Sequence, residues 1–188
     1  MPASVRVAWT RLVLSTVYAQ EPSVHARLLE RVASRHLLEA AGRIAWIPLG
    51  VHMEICEALR AEVGDPFYRH YFCATSFAGA RLALFRPLVD GFLQLFGTTP
   101  LSTIKAAPRV WNAIFRDVGS LRLKALLPKS AEATIVGLDP SLRTSETFSI
   151  GVQGAFEAGI AFVGSRGFVG IDTSALQEGR TRFHVRWL

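Results

Sequence analysis

The sequence predicts an α+β fold, with a helical N-terminal half followed by a four-stranded, mostly antiparallel sheet with one inserted helix. Three observations carry this. In the closing stretch Thr181, Phe183, Val185 and Trp187 alternate with Arg182, His184 and Arg186, so one face of a strand is apolar and the other basic. Before Gly119 the apolar residues recur instead at helical spacing. Between the late strands, Phe148, Val152, Ala155, Phe156, Gly159, Ile160 and Val163 form a helical stripe, with Ser149, Gln153 and Glu157 away from it.

Taken in order, Met1 to Val7 reads as extended, and Trp9 to Tyr18 fits strand or helix. Ser23 to Arg35 is a helix, because Val24, Leu28 and Val32 repeat every four residues and Pro22 stands near its start. Leu37 to Ile44 adds a turn or two. Pro48 opens a helix that runs to Val63 and ends at Gly64. Its inner stripe is His52, Ile55, Cys56, Leu59 and Val63, with Glu54, Glu57 and Glu62 outward. Asp65-Pro66 starts the next helix, Phe67 to about Ala80. Pro87 to Phe96 is a short apolar helix closed by Gly97. Leu101 to Val118 follows, with Pro108 as a break and Val110, Trp111, Ile114 and Val118 inward.

Gly119 ends the helical half. Leu121, Leu123, Ala125 and Leu127 alternate with Arg122 and Lys124, and Pro128 stops that strand because it has no N–H to donate. Ala131 to Leu138 is the second strand and Glu146 to Val163 the inserted helix. Phe168 to Thr173 pairs with the closing strand across a turn containing Glu178-Gly179. Residues 1–188 are read as one domain, with 1–118 mainly helical and 119–188 a strand–strand–helix–hairpin unit.

Half of the residues are hydrophobic and mean hydropathy is +0.28, yet no stretch approaches the roughly 20 apolar residues of a membrane span. Such a chain must hide apolar area in a large core, a partner surface or a pocket. Two cysteines make no disulfide framework, and the cytoplasm is the expected compartment. The net charge is +6, but the basic residues are scattered and form no run or tail that would mark a nucleic-acid binder.

At Trp46-Ile47-Pro48-Leu49, Pro108-Arg109-Val110-Trp111, Arg116-Asp117-Val118-Gly119 and the terminal Val185-Arg186-Trp187, the chain resembles a paralogous family of uncharacterised myxobacterial proteins. That family in turn is similar to the 4-vinyl reductase ligand-binding domain, the haem–nitric oxide domain and the TRAPP vesicle-tethering subunits. The likeness covers about Pro22 to Leu188. It implies a sheet half that encloses a small molecule or lipid chain, and it implies no enzymatic activity. Haem-binding relatives carry Tyr-x-Ser-x-Arg. Here Ser141-Leu142-Arg143 follows Asp139 rather than a tyrosine, a departure that argues against haem.

Four candidate sites follow. His52 and Cys56, with His70 and Cys73, are two pairs one helical turn apart on consecutive helices, a set that would suit zinc if all four converged. Cysteine also packs readily as a small hydrophobe, and the spacing matches no standard zinc motif, so core packing is the first expectation. One cysteine would be the acyl-accepting position if the tethering-subunit likeness held. The pairs lack the orienting carboxylate and oxyanion hole of a Cys–His nucleophile.

Arg122, Lys124, Arg182, His184 and Arg186 would make a basic face for an anionic partner if the outer strands lay side by side. Stacking aromatics are missing from that face, which argues against single-stranded nucleic acid. Trp46, Phe67, Tyr68, Tyr71, Phe72, Phe77 and Phe85 are denser than one helix face can bury and point first to an apolar interface, with a pocket as the other account. Gly151, Gly154 and Gly159 lie inside a helical stripe and make no phosphate loop.

The sequence therefore predicts a non-enzymatic interaction or assembly module, homo-oligomeric or docked on another chain through apolar helical surfaces, with no cofactor expected. A sensor domain burying a small apolar ligand or lipid is the alternative, and binding of an anionic partner through the basic face is a third reading.

Overall fold

The computed structural model describes residues 2–42, 44–81, 86–87, 90–91, 94 and 97–188. The fold is α+β, a helical half followed by an antiparallel sheet of four strands. The chain begins with β1 (Ser4–Arg6) and α1 (Val7–Gln20), which resolves the ambiguous stretch as helix. Val13 and Val17 point inward from α1 with Trp9 and Thr10, and this 3.6-residue spacing suits a helix and not a strand. Helix α2 (Pro22–Arg31) starts on a proline whose missing N–H costs nothing in a first turn. Helix α3 (Arg35–Ala40) and strand β2 (Trp46–Pro48) follow.

Helix α4 (Leu49–Gly79) joins the two helices expected on either side of Gly64. The join is a break in direction, because Gly64 adopts φ 76° and ψ 167°, a region almost closed to residues with a Cβ. Pro66 tolerates its place because it stands in the first turn after that break. The helix expected over Pro87 to Phe96, and the aromatic Phe85 before it, lie largely or wholly outside the described residues. Helix α5 (Pro100–Ile114) is capped by the Thr99 hydroxyl, which accepts from the Ser102 N–H at 3.2 Å. Pro108 was expected to break it, but the helix runs through. A proline removes one hydrogen bond, and the apolar face of Ile104, Trp111 and Ile114 keeps both sides of Pro108 seated.

Strand β3 (Phe115–Arg116) returns to β1, making a small sheet of order β2-β1-β3. The main sheet has order β4-β5-β7-β6, from β4 (Ser120–Leu127), β5 (Ser130–Val136), β6 (Gly167–Asp172) and β7 (Arg180–Trp187), all antiparallel. Its register sets Ala133 opposite Phe183 and Ala131 opposite Val185, so small and large side chains share the buried face.

Helix α6 (Thr147–Phe162) lies between that face and α4, and both of its sides are covered. Ser149 and Gln153, expected away from the apolar stripe, are buried. They carry the helix's polar bonds to the sheet: Ser149 Oγ lies 3.1 Å from Thr181 Oγ1, and Gln153 Nε2 donates to the Val169 carbonyl at 2.7 Å. On the opposite side Gly154 lets α4 approach closely, since a Cβ there would sit 2.4 Å from the Arg69 carbonyl oxygen. The core is two clusters, one around α1, α2 and α4 and one around α6 and the sheet, with Met53 and Phe115 packed against both. No described helix is long and apolar enough to cross a membrane.

Candidate functional site

A cavity of about 180 Å³ opens where the two clusters meet. It exceeds the ~150 Å³ of a protein cavity that takes up benzene, and is below the ~300–1,000 Å³ of sites for drug-sized ligands. Helix α1 contributes Trp9, α5 contributes Trp111, and α6 contributes Phe148, Gly151 and Phe156. Helix α4 supplies the remaining wall from both sides of its break. His52 and Cys56 stand one turn apart on the first half, while Tyr68, Phe72 and Ser76 repeat every four residues on the second. Four-residue spacing stacks side chains in a row, and the turn at Gly64 lets two such rows face one space.

The wall is aromatic and ordered by ring contacts. Trp111 lies 4.7 Å from Phe115 and 5.7 Å from Phe148, while Tyr68 lies 4.9 Å from Phe72, centroid to centroid. Its polar groups form a chain. Thr10 Oγ1 lies 3.1 Å from His52 Nδ1, and His52 Nε2 lies 3.4 Å from Cys56 Sγ. Burial pushes the His52 pKa down to about 4, so the imidazole is neutral near pH 7. Burial also pushes the Cys56 thiol up to about 12, so it is protonated and unreactive. The Tyr68 phenol is raised well above its ordinary value, first by burial and then by Cys56. The cavity can thus hold an apolar body and offer it a few neutral polar atoms. It provides no activated nucleophile.

The four residues considered for zinc do not converge. His52 and Cys56 meet, but His70 is exposed and Cys73 only half-buried, and among the described residues no group of three His, Cys, Asp or Glu side chains is placed to hold a metal. The break at Gly64 sets the second pair on a different face.

Of the aromatics, Tyr68, Phe72 and Phe77 line the cavity. Tyr71 is buried beside Glu21, and Trp46 lies between the guanidiniums of Arg6 and Arg116, at 4.1 and 4.3 Å. The expected exposed patch is corrected for three of its members: Tyr68, Tyr71 and Phe72 are 0, 1 and 5 % exposed, because α4 is packed by α1 on one side and α6 on the other, while Phe67 is exposed.

The five basic residues do share one face of the main sheet, but β4 and β7 are not neighbours. Strand β5 separates them, and its Glu132 sits opposite both Lys124 and His184. Its carboxylate lies 3.7 Å from Arg182 and 4.0 Å from His184, which divides the positive charge. In the Asp139-Pro140-Ser141-Leu142-Arg143 segment, Ser141 donates to Asp139 at 2.6 Å and Arg143 to the Leu138 carbonyl at 2.9 Å. Neither lines the cavity. Trp9, Trp111, Phe148 and Gly151 were not among the ligand-site candidates read from sequence. Only the three-residue step from Gly151 to Gly154 inside an apolar helix hinted that another helix would press against it.

No model of a known protein family matches the sequence, and no curated protein matches it either. Solved structures do. An Fe(II) unliganded H-NOX protein from K. algicida matches with a TM-score of 0.64 and 8% identity, over 97% of this chain and 96% of that one. An H-NOX structure that probes heme distortion in its family matches with a TM-score of 0.60 and 11% identity, over 97% and 93%. An oxygen-binding H-NOX domain related to soluble guanylate cyclases, in its oxygen complex, matches with a TM-score of 0.55 and 10% identity, over 94% and 90%. At such identities the likeness is one of fold. It falls on the haem–nitric oxide part of the sequence resemblance and lends no support to the 4-vinyl reductase, tethering-subunit or myxobacterial parts.

The expectation against haem is overturned by the same finding, because these folds are haem-binding domains. The missing tyrosine at Asp139 does not outweigh it. Among the described lining residues the one imidazole is the neutral His52, whose Nδ1 faces Thr10 and whose Nε2 would have to leave Cys56 Sγ to meet iron. At about 180 Å³ the cavity is below the ~300–1,000 Å³ of drug-sized ligand sites, so a porphyrin would need more room than it offers.

Proposed function

We propose that this chain is a non-catalytic, ligand-binding sensor domain that encloses a small apolar molecule at the junction of its helical and sheet halves. The observation that carries this reading is the aromatic cavity reached by α1, α4, α5 and α6 together. A ligand there touches elements from both core clusters, so its binding free energy favours one arrangement of the two halves over others. The reading is preferred to an interaction module with an apolar surface because Tyr68, Tyr71 and Phe72, three of the aromatics that suggested such a surface, are interior. Haem is the cofactor that the fold points to, and His52 is the residue that would hold it, with Thr10 fixing the ring. When bound, haem would supply an iron centre for a diatomic ligand.

Titration with toluene and, separately, with haemin tests this, read by indole N–H NMR signals and by the Soret band. The expected result is movement of the Trp9 and Trp111 signals with toluene, lost in Ala155→Leu, whose longer side chain fills the cavity. A Soret band that appears with haemin and is lost in His52→Ala would assign the haem reading. Absence of both responses would overturn the proposal.

A further inference from the structure

The Tyr68 side chain is wholly buried, and its hydroxyl has no hydrogen-bond partner of ordinary geometry. The group beside it is the Cys56 thiol, which is protonated and, as sulfur, a poor acceptor. A phenol enclosed with no acceptor loses its hydration without recompense, and native interiors rarely leave such a donor idle. The hydroxyl faces α6 at a position that only a glycine leaves uncrowded. Residue 151 on α6 is glycine, and a Cβ there would lie 3.2 Å from Tyr68 Oη and 3.1 Å from the Phe72 ring. Ser76, two turns further along α4 on the same wall, has a second buried hydroxyl without a partner.

From this juxtaposition we infer that the cavity recognises an aromatic or alicyclic carbonyl compound. Its ring sits among Phe72, Phe148 and Trp111, and its carbonyl oxygen accepts from Tyr68 Oη. This rests on the cavity reading above and names the class of ligand. A carbonyl suits the site better than a carboxylate, because no described cation lines the cavity to balance a charge. It suits it better than a bare hydrocarbon, which would leave the phenol unsatisfied.

The test compares toluene with acetophenone on wild-type protein and on Tyr68→Phe, with affinities read by NMR titration. In the wild type acetophenone is expected to bind about tenfold more tightly than toluene, from one buried hydrogen bond of ordinary strength. In Tyr68→Phe that advantage is expected to vanish while toluene affinity stays within about twofold, since the ring shape is kept. Gly151→Ala, which narrows the space at the hydroxyl, is expected to weaken acetophenone more than toluene. An equal loss for both ligands in Tyr68→Phe, or no loss for either, overturns the inference. If toluene binds and acetophenone binds no better, the cavity reading survives and the carbonyl assignment fails. If neither binds the wild type, the cavity reading itself has failed.

Discussion

His52 shows how a single side chain links site and stability. Its folded pKa is pushed down to about 4 from 6.5 by burial, beside Thr10, Cys56 and the Phe72 and Phe115 rings. The unfolded chain therefore binds a proton more readily than the native one. This contribution is intact above pH 6.5 and is lost progressively as pH falls towards 4, by roughly 3 kcal/mol at most. Urea unfolding at pH 7 and pH 5 is expected to show the loss, and His52→Gln to flatten it. An unchanged slope in that variant would place the effect elsewhere. Two glycines are irreplaceable for different reasons. Gly64→Ala meets nothing within 4 Å, so its expected cost of about 1–3 kcal/mol is backbone strain alone. Gly154→Ala would drive a methyl group against the Arg69 carbonyl, and its expected cost of at least ~1–3 kcal/mol comes from parting α4 and α6. Both are read as a fall in the urea midpoint, and a Gly154→Ala protein as stable as the wild type would mean that the two helices have freedom to slide.

At the level of the elements, α6 explains why part of the fold was legible and part was not. Its length and position are plain from Phe148 to Ile160, and so are the late strands, whose two-residue alternation is unmistakable. Its environment was hidden. Ser149 and Gln153 look like solvent-facing residues, but a helix covered on both sides must bury some polar groups, and it does so where the sheet offers Thr181 and the Val169 carbonyl. Gln153→Ala leaves that carbonyl without its amide donor and is expected to destabilise the protein by about 1–3 kcal/mol in urea unfolding. A neutral result would show that water replaces the bond. The small β2-β1-β3 sheet escaped sequence reading because strands of two or three residues are too short to display a period. The sequence offered a buried ligand pocket as its alternative reading but could not place the wall, because four helices contribute to it and no local pattern records which helix faces meet.

For the whole molecule, the two core clusters meet around the cavity, so binding of the proposed ligand there would be coupled to global unfolding. A ligand at a hundred times its dissociation constant is expected to add about 2.7 kcal/mol to the unfolding free energy. Calorimetry with and without acetophenone checks this, and an unshifted transition would separate binding from the fold. On the basic sheet face, strand order adds what a count of charges leaves out. Five basic residues share one face and suggested an anionic partner, and the strand order places Glu132 among them.

The placement of the four tryptophans gives the protein its own optical reporter. Trp9 and Trp111 border the interior space, Trp46 is held between two guanidiniums, and Trp187 is buried in the last strand. Light absorbed by the first two is emitted from beside any guest, so a quenching guest dims them selectively while the other two supply a steady background. Occupancy can then be followed by emission intensity alone, on the native chain and without attaching a dye.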